Sequence, residues 1–326
     1  MRRVGSFLKR GAIAIVVLAV IAGTGGTYYF KSYLPNTVAP KSFPQVDGEI
    51  QLEGLNGQVD IYRDQMGIPH IYASTEHDLF FAQGYVHAQE RFWQMDFYRH
   101  VGQGRTSEMF GKSSVENDMF LTTVGWSRVA AVDYESFSPE SKAILEAYAE
   151  GVNAYLKDHD GDAVSLEYAV LGLLSPDYQI EPWGPLDTLS WTKALAWDLR
   201  ANMGKEIERA VLLKTLTSEQ LTELYPPYPN DHPVIVNTLG GTAVSASLPT
   251  QTVNIPDETL AALEYNVSLL DSVLGPLSDG VGSNSWAVSG DLSATGMPLL
   301  ANDPHLTTQT PSIWYLARLS YENQRV

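Results

Sequence analysis

Reading the chain for hydrophobic and polar spacing gives a sequence of elements before any chemistry is considered. Polar and apolar residues alternate over Glu49–Gly54 and again over Gln58–Tyr62, with Asn56-Gly57 between them, which predicts a hairpin. From Glu76 to Val101 the period changes: Leu79, Ala82, Tyr85, Val86 and Gln89 recur at helical spacing, followed by Phe92 and Trp93. Ser138-Pro139-Glu140 is a helix start, with serine as cap and proline at the first helical position. Ile144, Leu145, Tyr148, Val152 and Tyr155 then supply the buried stripe. After the breaker Pro182-Trp183-Gly184-Pro185, Asp187 is the expected N-cap of a helix over Leu189–Leu199. A further helical piece carries Leu260, Leu263, Val267, Leu270 and Val273. Short alternating segments return between 285 and 321. Helices over roughly 76–215, with strands clustered at 49–73 and 285–321, predict an α+β protein.

The first thirty residues break this pattern. Arg2, Arg3, Lys9 and Arg10 precede an uncharged run from Gly11 to Phe30, most apolar from Ile13 to Ala22. Basic flank followed by apolar run is the layout of a signal peptide or membrane anchor, so residues 1–30 predict export and an extracytoplasmic location for the body. No small-x-small cleavage site stands out, which leaves cleaved signal and retained anchor both open. Residues 31–47, with Pro35, Pro40 and Pro44, read as a linker. Elsewhere, composition mainly excludes. At 44% hydrophobic and 18% charged, the 326 residues suit a globular protein with a large core. The net charge of −17 argues against nucleic acid as a partner. The absence of cysteine removes disulfides, thiolate metal sites and cysteine nucleophiles.

Candidate chemistry is sparse. His87 and Glu90 are spaced to share a helix face, but no H-E-x-x-H occurs, so hydrogen bonding inside a packed helix layer is the expectation. No serine lies in a G-x-S-x-G elbow, which argues against an ordinary serine-histidine-aspartate hydrolase. Residues 241–282 are small and polar around Gly240-Gly241-Thr242, carry the helical piece, and end in Gly275-Pro276, Asp279-Gly280 and Gly282. The junction Gly282-Ser283-Asn284-Ser285-Trp286 follows. By local pattern it is a turn entering a strand; its other reading is a peptide bond that the protein cuts itself, leaving Ser283 as a new N-terminus.

The run G-S-N-S-W-A-V-S-G at 282–290, followed by A-N-D-P-H-L at 301–306 and P-S-I-W-Y at 311–315, resembles the start of the nucleophile subunit of the penicillin acylase family. Upstream, Arg63-Asp64, Gly67-Ile68-Pro69-His70-Ile71, Ala82-Gln83-Gly84-Tyr85, Gln89-Glu90-Arg91 and Gln94-Met95-Asp96 resemble that family's small-subunit signature. Two ordered blocks make the resemblance specific, and it covers about residues 48–326. It implies an N-terminal nucleophile (Ntn) hydrolase with a four-layer αββα sandwich, two antiparallel sheets between helices, incomplete in this chain. It implies residues 48–240 as small subunit, 241–282 as spacer and 283–326 as the opening of the large subunit, the two forming a heterodimer after self-cleavage between Gly282 and Ser283. Ser283 would be the nucleophile and His305 would tune its amine. Glu206, with Glu208 second, would supply one carboxylate to a structural calcium. The helix end around Ala196–Met203 would line the acyl pocket, where Arg200 is a candidate substrate contact. The substrate would be an amide between an acyl group and a polar amine, as in β-lactam antibiotic side chains or N-acyl-homoserine lactones, with no organic cofactor. Most of the family's nucleophile subunit, with its oxyanion donor and remaining calcium ligands, has no counterpart before Val326, so a truncated chain with exposed strand edges and poor solubility is expected. The competing reading is a membrane-anchored extracytoplasmic binding or scaffold protein, or an inactive fragment.

Overall fold

The computed structural model describes residues 19–20, 22–199, 202–227, 229, 232, 255–274, 282–321 and 324–325. The chain divides into two compact units, one drawn from Met1–Ala194 with Thr307–Val326 and the other from Leu195–Leu306.

In the first unit, residues 22–28 are helical and continue into a π-helical turn at Tyr29–Val38 and a 3-10 turn at Ala39–Ser42. The stretch expected to be a linker is therefore partly packed: Leu34 and Val38 are buried, and Lys41 pairs with Asp162 at 2.7 Å. Among the described residues no helix is long and apolar enough to cross a membrane, and most of Ile13–Ala22 lies outside them.

The first hairpin forms later than its spacing predicted. Strands β1 (Asp60–Arg63) and β2 (Pro69–Ala73) pair antiparallel, with Arg63 opposite Pro69. Asp64 closes the turn by accepting from the amides of Met66 (2.8 Å) and Ile68 (3.0 Å), and Gly67 takes the left-handed φ of 77°. Asn56-Gly57 does not serve as the hairpin turn because a tertiary contact takes it over: the Asn56 amide donates to the Asp78 carboxylate at 2.9 Å.

Helix α1 (Glu76–Gln103) begins where the Thr75 hydroxyl accepts from the Asp78 amide and ends at Gly104, whose φ is 69°. Short helices α2 (Thr106–Phe110), α3 (Val115–Val124) and α4 (Trp126–Ser136) follow. Helix α5 (Pro139–Leu156) has the predicted cap, the Ser138 hydroxyl accepting from the Ser141 amide at 3.2 Å. It crosses α1 where Gly84 and Gly151 let the two backbones touch. After α6 (Leu166–Leu174), helix α7 (Pro185–Asp198) starts earlier than predicted. Asp187 sits inside its first turn and accepts from the Gly184 amide at 2.7 Å, so Pro185 occupies the first helical position.

Strands β5 (Arg318–Tyr321) and β6 (Gln324–Arg325) complete a sheet of order β1-β2-β5-β6. Its β2–β5 pair is parallel, His70 opposite Arg318, so this sheet is mixed and not antiparallel throughout as the resemblance implied. Pairing of distant strands brought together by tertiary folding can take either direction, whereas hairpins are antiparallel by necessity. Beneath it Ile71, Leu79, Ala82, Val86 and Leu319 form one core, while Tyr85, Phe92, Val152, Tyr168 and Trp183 belong to another around α1 and α5. The latter encloses a polar knot. Fully buried Asp96 accepts from Arg99 Nε (2.7 Å), Tyr168 (2.5 Å) and Tyr178 (2.6 Å), and Arg99 also donates to the carbonyls of Glu181 and Pro182. The buried charges of Asp96 and Arg99 thereby each have partners, which is the condition for burying them.

The second unit contains α8 (Asn202–Leu212), α9 (Ser218–Leu224) with a Thr217/Gln220 capping box, α10 (Asp257–Leu274), and strands β3 (Gly282–Val288) and β4 (Leu299–His305). The described architecture is α+β, as the spacing predicted.

Candidate active site

The junction residues open β3. Alternation over Ser283–Val288 suits an extended strand, and the segment after it folds back through a 3-10 turn at Gly290–Leu292, where the Ser289 hydroxyl accepts from the Asp291 amide. Gly290 is needed here, since a Cβ on it would lie 2.5 Å from the Gly296 carbonyl oxygen, and Gly296 itself has a φ of 71°. The returning β4 pairs antiparallel with β3, Gly282 opposite His305, Ser283 opposite Pro304 and Ser285 opposite Asn302.

That register decides which groups can meet. Residues directly opposite in an antiparallel pair share a face, and successive residues alternate. Ser283 therefore shares its face with Ser285, Asn302 and Pro304, and Ser285 donates to the Asn302 side chain at 2.8 Å. His305 belongs to the other face, with Gly282, Asn284 and Asp303, and its Nε2 lies 2.8 Å from the Asp303 carboxylate. The expected Ser283–His305 pair is thus not brought together, because the two are one register step out. The polar residues on the serine's own face are Ser285 and Asn302. Spacing within N-D-P-H could have shown this, since period-two alternation separates Asn302 and Pro304 from Asp303 and His305 once β4 is recognised as a strand.

Gly282 is extended, without a left-handed φ, and a Cβ there would meet nothing within 4 Å among the described residues. Neither backbone strain nor packing requires glycine at this position. The ribbon is exposed: Trp286 is 58% accessible and Leu300 73%, apolar surface of the kind the resemblance led one to expect on unpaired strands.

The other residues named from sequence lie elsewhere. Arg200 falls outside the described residues. Glu206 pairs with Arg209 at 2.7 Å, and Glu208 with Lys205 at 3.2 Å, both on α8. No group of three or more metal-ligating side chains occurs among the described residues. A hard cation of calcium's type takes six to eight oxygens, so Glu206 and Glu208, each engaged with a basic neighbour, do not by themselves make its site. Beside them α8 and α10 bound a groove of about 340 Å3, lined by Ile207, Val211, Leu212 and Val267 with Glu208 and Glu264 among its walls. A second cleft, about 650 Å3, lies under residues 45–63 against α1 and is lined by none of Ser283, His305, Glu206 and Glu208.

His87 and Glu90 both hydrogen-bond within the packed layer around α1. His87 shares a hydrogen bond with the Tyr148 hydroxyl at 3.0 Å; burial, with help from the Arg91 charge, pushes its pKa down to about 4, which keeps it neutral at ordinary pH. Glu90 pairs with Arg63 at 2.6 Å and accepts from the Tyr315 hydroxyl at 2.7 Å.

Comparison with known proteins agrees with these motifs. The profile described as "Penicillin amidase" matches residues 58–326. An acyl-homoserine lactone acylase, QuiP, of Pseudomonas fluorescens (strain Pf0-1) is 33% identical over 316 residues, 96% of this chain and 36% of its own length. Penicillin acylase 2 proenzyme of Pseudomonas sp. (strain SE83) is 33% identical over 276 residues, 84% of this chain and 33% of its own. Penicillin G acylase of Escherichia coli is 38% identical over 104 residues, 32% of this chain and 12% of that protein. A solved structure, thermostable penicillin G acylase from Alcaligenes faecalis, superposes with a TM-score of 0.44 at 25% identity, covering 56% of this chain and 97% of that one, an overlay too loose to argue from. The chain spans about a third of the length of the first two relatives. With a family match from residue 58 to residue 326 that takes in both the helical signature of α1 and the Gly282-Ser283 junction, this chain belongs to the penicillin amidase family.

Proposed function

We propose that this chain carries the processing junction and nucleophile of a self-cleaving acylase, which hydrolyses an amide joining an acyl group to a polar amine. The observation that carries the reading is Ser283 itself. It is the second residue of an exposed strand, directly after a Gly282 that neither packing nor φ requires to be glycine, inside the family match. In the uncut chain the Ser283 Oγ attacks the Gly282 carbonyl carbon, the C–N bond breaks, and the serine nitrogen takes up the hydroxyl proton. Water then hydrolyses the resulting ester, leaving a Gly282 carboxylate and a Ser283 with a free α-amine. An unperturbed α-amine titrates at about pH 7.7–8.0, so a useful fraction is neutral and accepts the hydroxyl proton as Oγ attacks the substrate carbonyl. The amine product leaves with a proton, and a second water releases the acid from the acyl-serine.

Relatives named for N-acyl-homoserine lactones and for penicillins make those two substrate groups the first to try. On this reading the complete fold is the αββα sandwich, the two cleaved pieces form a heterodimer, and the basic N-terminus directs export. His305 acts after cleavage, when the freed Ser283 is no longer held in register by the peptide bond to Gly282, while Arg200 contacts the acyl group. Calcium remains part of the proposal only if oxygens beyond those of Glu206 and Glu208 complete its shell.

Intact-mass analysis and N-terminal sequencing test the processing step. A fragment beginning at Ser283 is expected from the wild type, and a single uncut chain from Ser283→Ala. Equal processing of the alanine variant assigns the cut to another protease and refutes the mechanism. For the processed protein, release of acid from none of a panel of aliphatic, aromatic and dicarboxylic acyl amides, including N-acyl-homoserine lactones, refutes the acylase reading.

A further inference from the structure

The pairing that keeps the Ser283 and His305 side chains on different faces brings another part of His305 to the junction. An antiparallel ladder alternates two kinds of pair: residues that exchange both main-chain hydrogen bonds, and residues that exchange none. The unbroken register from Gly282–His305 to Val288–Leu299 therefore allows two phases. In one, Ser283–Pro304, Ser285–Asn302 and Ala287–Leu300 are the bonded pairs. In the other they are Gly282–His305, Asn284–Asp303, Trp286–Ala301 and Val288–Leu299.

Two observations select the second phase. Pro304 has no N–H, so in the first phase it could not donate to the Ser283 carbonyl and the ladder would break there. Strand pairing instead continues past Ser283–Pro304 to Gly282 and His305. Ser285 and Asn302, directly opposite each other, join side chains at 2.8 Å. Side chains approach most closely across non-bonded pairs, whose Cα atoms stand about 4.5 Å apart against about 5.5 Å in bonded ones. In the second phase the proline falls where no donor is needed, and the Gly282 carbonyl oxygen accepts from the His305 amide.

The Gly282 carbonyl is the one that Ser283 attacks when the chain cuts itself. We propose that the main-chain N–H of His305 is the oxyanion donor of self-cleavage, with Pro304 setting the phase that aims it. The role rests on the reading of Gly282–Ser283 as the processed bond. As Ser283 Oγ adds to the Gly282 carbonyl carbon, the carbonyl π pair moves onto oxygen and the hydroxyl proton passes to the Ser283 nitrogen. The negative charge thus develops on an atom that already holds a donor, and a donor fixed by the ladder needs no reorganisation. Collapse restores the carbonyl and expels the nitrogen, leaving the ester. His305 then has two separate parts: its main chain before the cut, and after it the imidazole, whose Nε2 lies 2.8 Å from Asp303.

Two measurements on the full 326-residue chain test this. Hydrogen–deuterium exchange at single-residue resolution, on Ser283→Ala so that the chain stays uncut, reads the phase. The amides of His305, Asp303 and Ala301 are expected to exchange about tenfold more slowly, or slower still, than those of Asn302 and Leu300. The reverse order, or equal exchange along β4, overturns the proposal. Self-cleavage rates are then compared in two ester variants. His305→β-imidazolyl-lactic acid replaces the N–H by oxygen and keeps the ring, whereas Ala301→lactic acid removes the donor of a bonded pair remote from the junction. Loss of an oxyanion donor slows a closed site by about 10²–10³; this ribbon is exposed and water partly replaces the donor, so about tenfold slowing relative to the Ala301 variant is expected. Equal rates in the two variants, with the unvaried chain cut normally, overturn the proposal alone. An unvaried chain that is not cut overturns the cleavage reading and this role together. If the His305 variant does not fold, the exchange pattern decides.

Discussion

Gly151→Ala tests whether the α1–α5 crossing is set by backbone contact. A Cβ at Gly151 would stand 1.8 Å from the Phe81 carbonyl oxygen, and one at Gly84 would stand 2.1 Å from that of Tyr148. Carbon and carbonyl oxygen ordinarily approach no closer than about 3.3 Å, so the helices would have to separate by roughly 1.5 Å. The obstacle is main chain on both sides, and no rotamer change relieves it. Overpacking of this sort costs about 3 kcal/mol at the upper end of its usual range, while alanine gains about 1 kcal/mol over glycine in helix propensity, leaving a net loss of about 2 kcal/mol. Gly172 on α6 is the control, because its Cβ would meet nothing within 4 Å among the described residues; there only the propensity gain applies. Urea unfolding followed by circular dichroism should move the Gly151→Ala midpoint down by about 1 M and the Gly172→Ala midpoint slightly up. Equal shifts in the two variants would show that propensity alone governs both sites, and the close crossing would be refuted.

Asp96→Asn should destabilise by about 3–5 kcal/mol in the same assay, because buried Arg99 loses its nearest counter-charge and retains only Asp187 at 3.6 Å; a loss under 1 kcal/mol would show the knot to be dispensable. His77 predicts a pH dependence. Burial opposes its protonation, but hydrogen bonds to Asp78 (3.1 Å) and Glu150 (3.2 Å) outweigh this and raise its pKa above 6.5. Its contribution is therefore complete below pH 6.5 and fades as pH rises through the raised value. Asp78 is opposite in sign: burial pushes up, the Asn56 amide and His77 bonds prevail, and its contribution fades as pH falls through a value below 3.8. His77→Gln should flatten the alkaline limb, which urea midpoints measured from pH 5 to pH 9 will show. For export, a reporter active only in the cytoplasm and fused after residue 47 should be silent; activity there would overturn the reading of the basic and apolar N-terminus.

Local signals were legible where they act through neighbours in sequence. Ser138-Pro139 capped its helix as read, and the period of Leu79, Ala82, Tyr85 and Val86 located α1. The alternation after Gly282 marked β3, whereas its partner strand over Leu299–His305 was not read from the A-N-D-P-H run. The family, too, was legible, because its two motif blocks carry specific residues in a fixed order. Tertiary structure decided what depends on distant partners. Asn56-Gly57 lost its hairpin role to a carboxylate on α1, and the hairpin formed around Asp64 instead. The parallel pairing of His70–Ala73 with Arg318–Tyr321 leaves no mark in either strand's own periodicity, since a strand's pattern records which face is buried but not which segment lies beside it. Register, likewise, separated Ser283 from His305 by face and put Asn302 opposite Ser285. Nor could sequence show that Glu90 and Arg91, noted as signature residues, face Tyr315 and Ser312: contact between them needs the C-terminal strand to return to the first helix, and only burial of Leu319 under that helix brings it there.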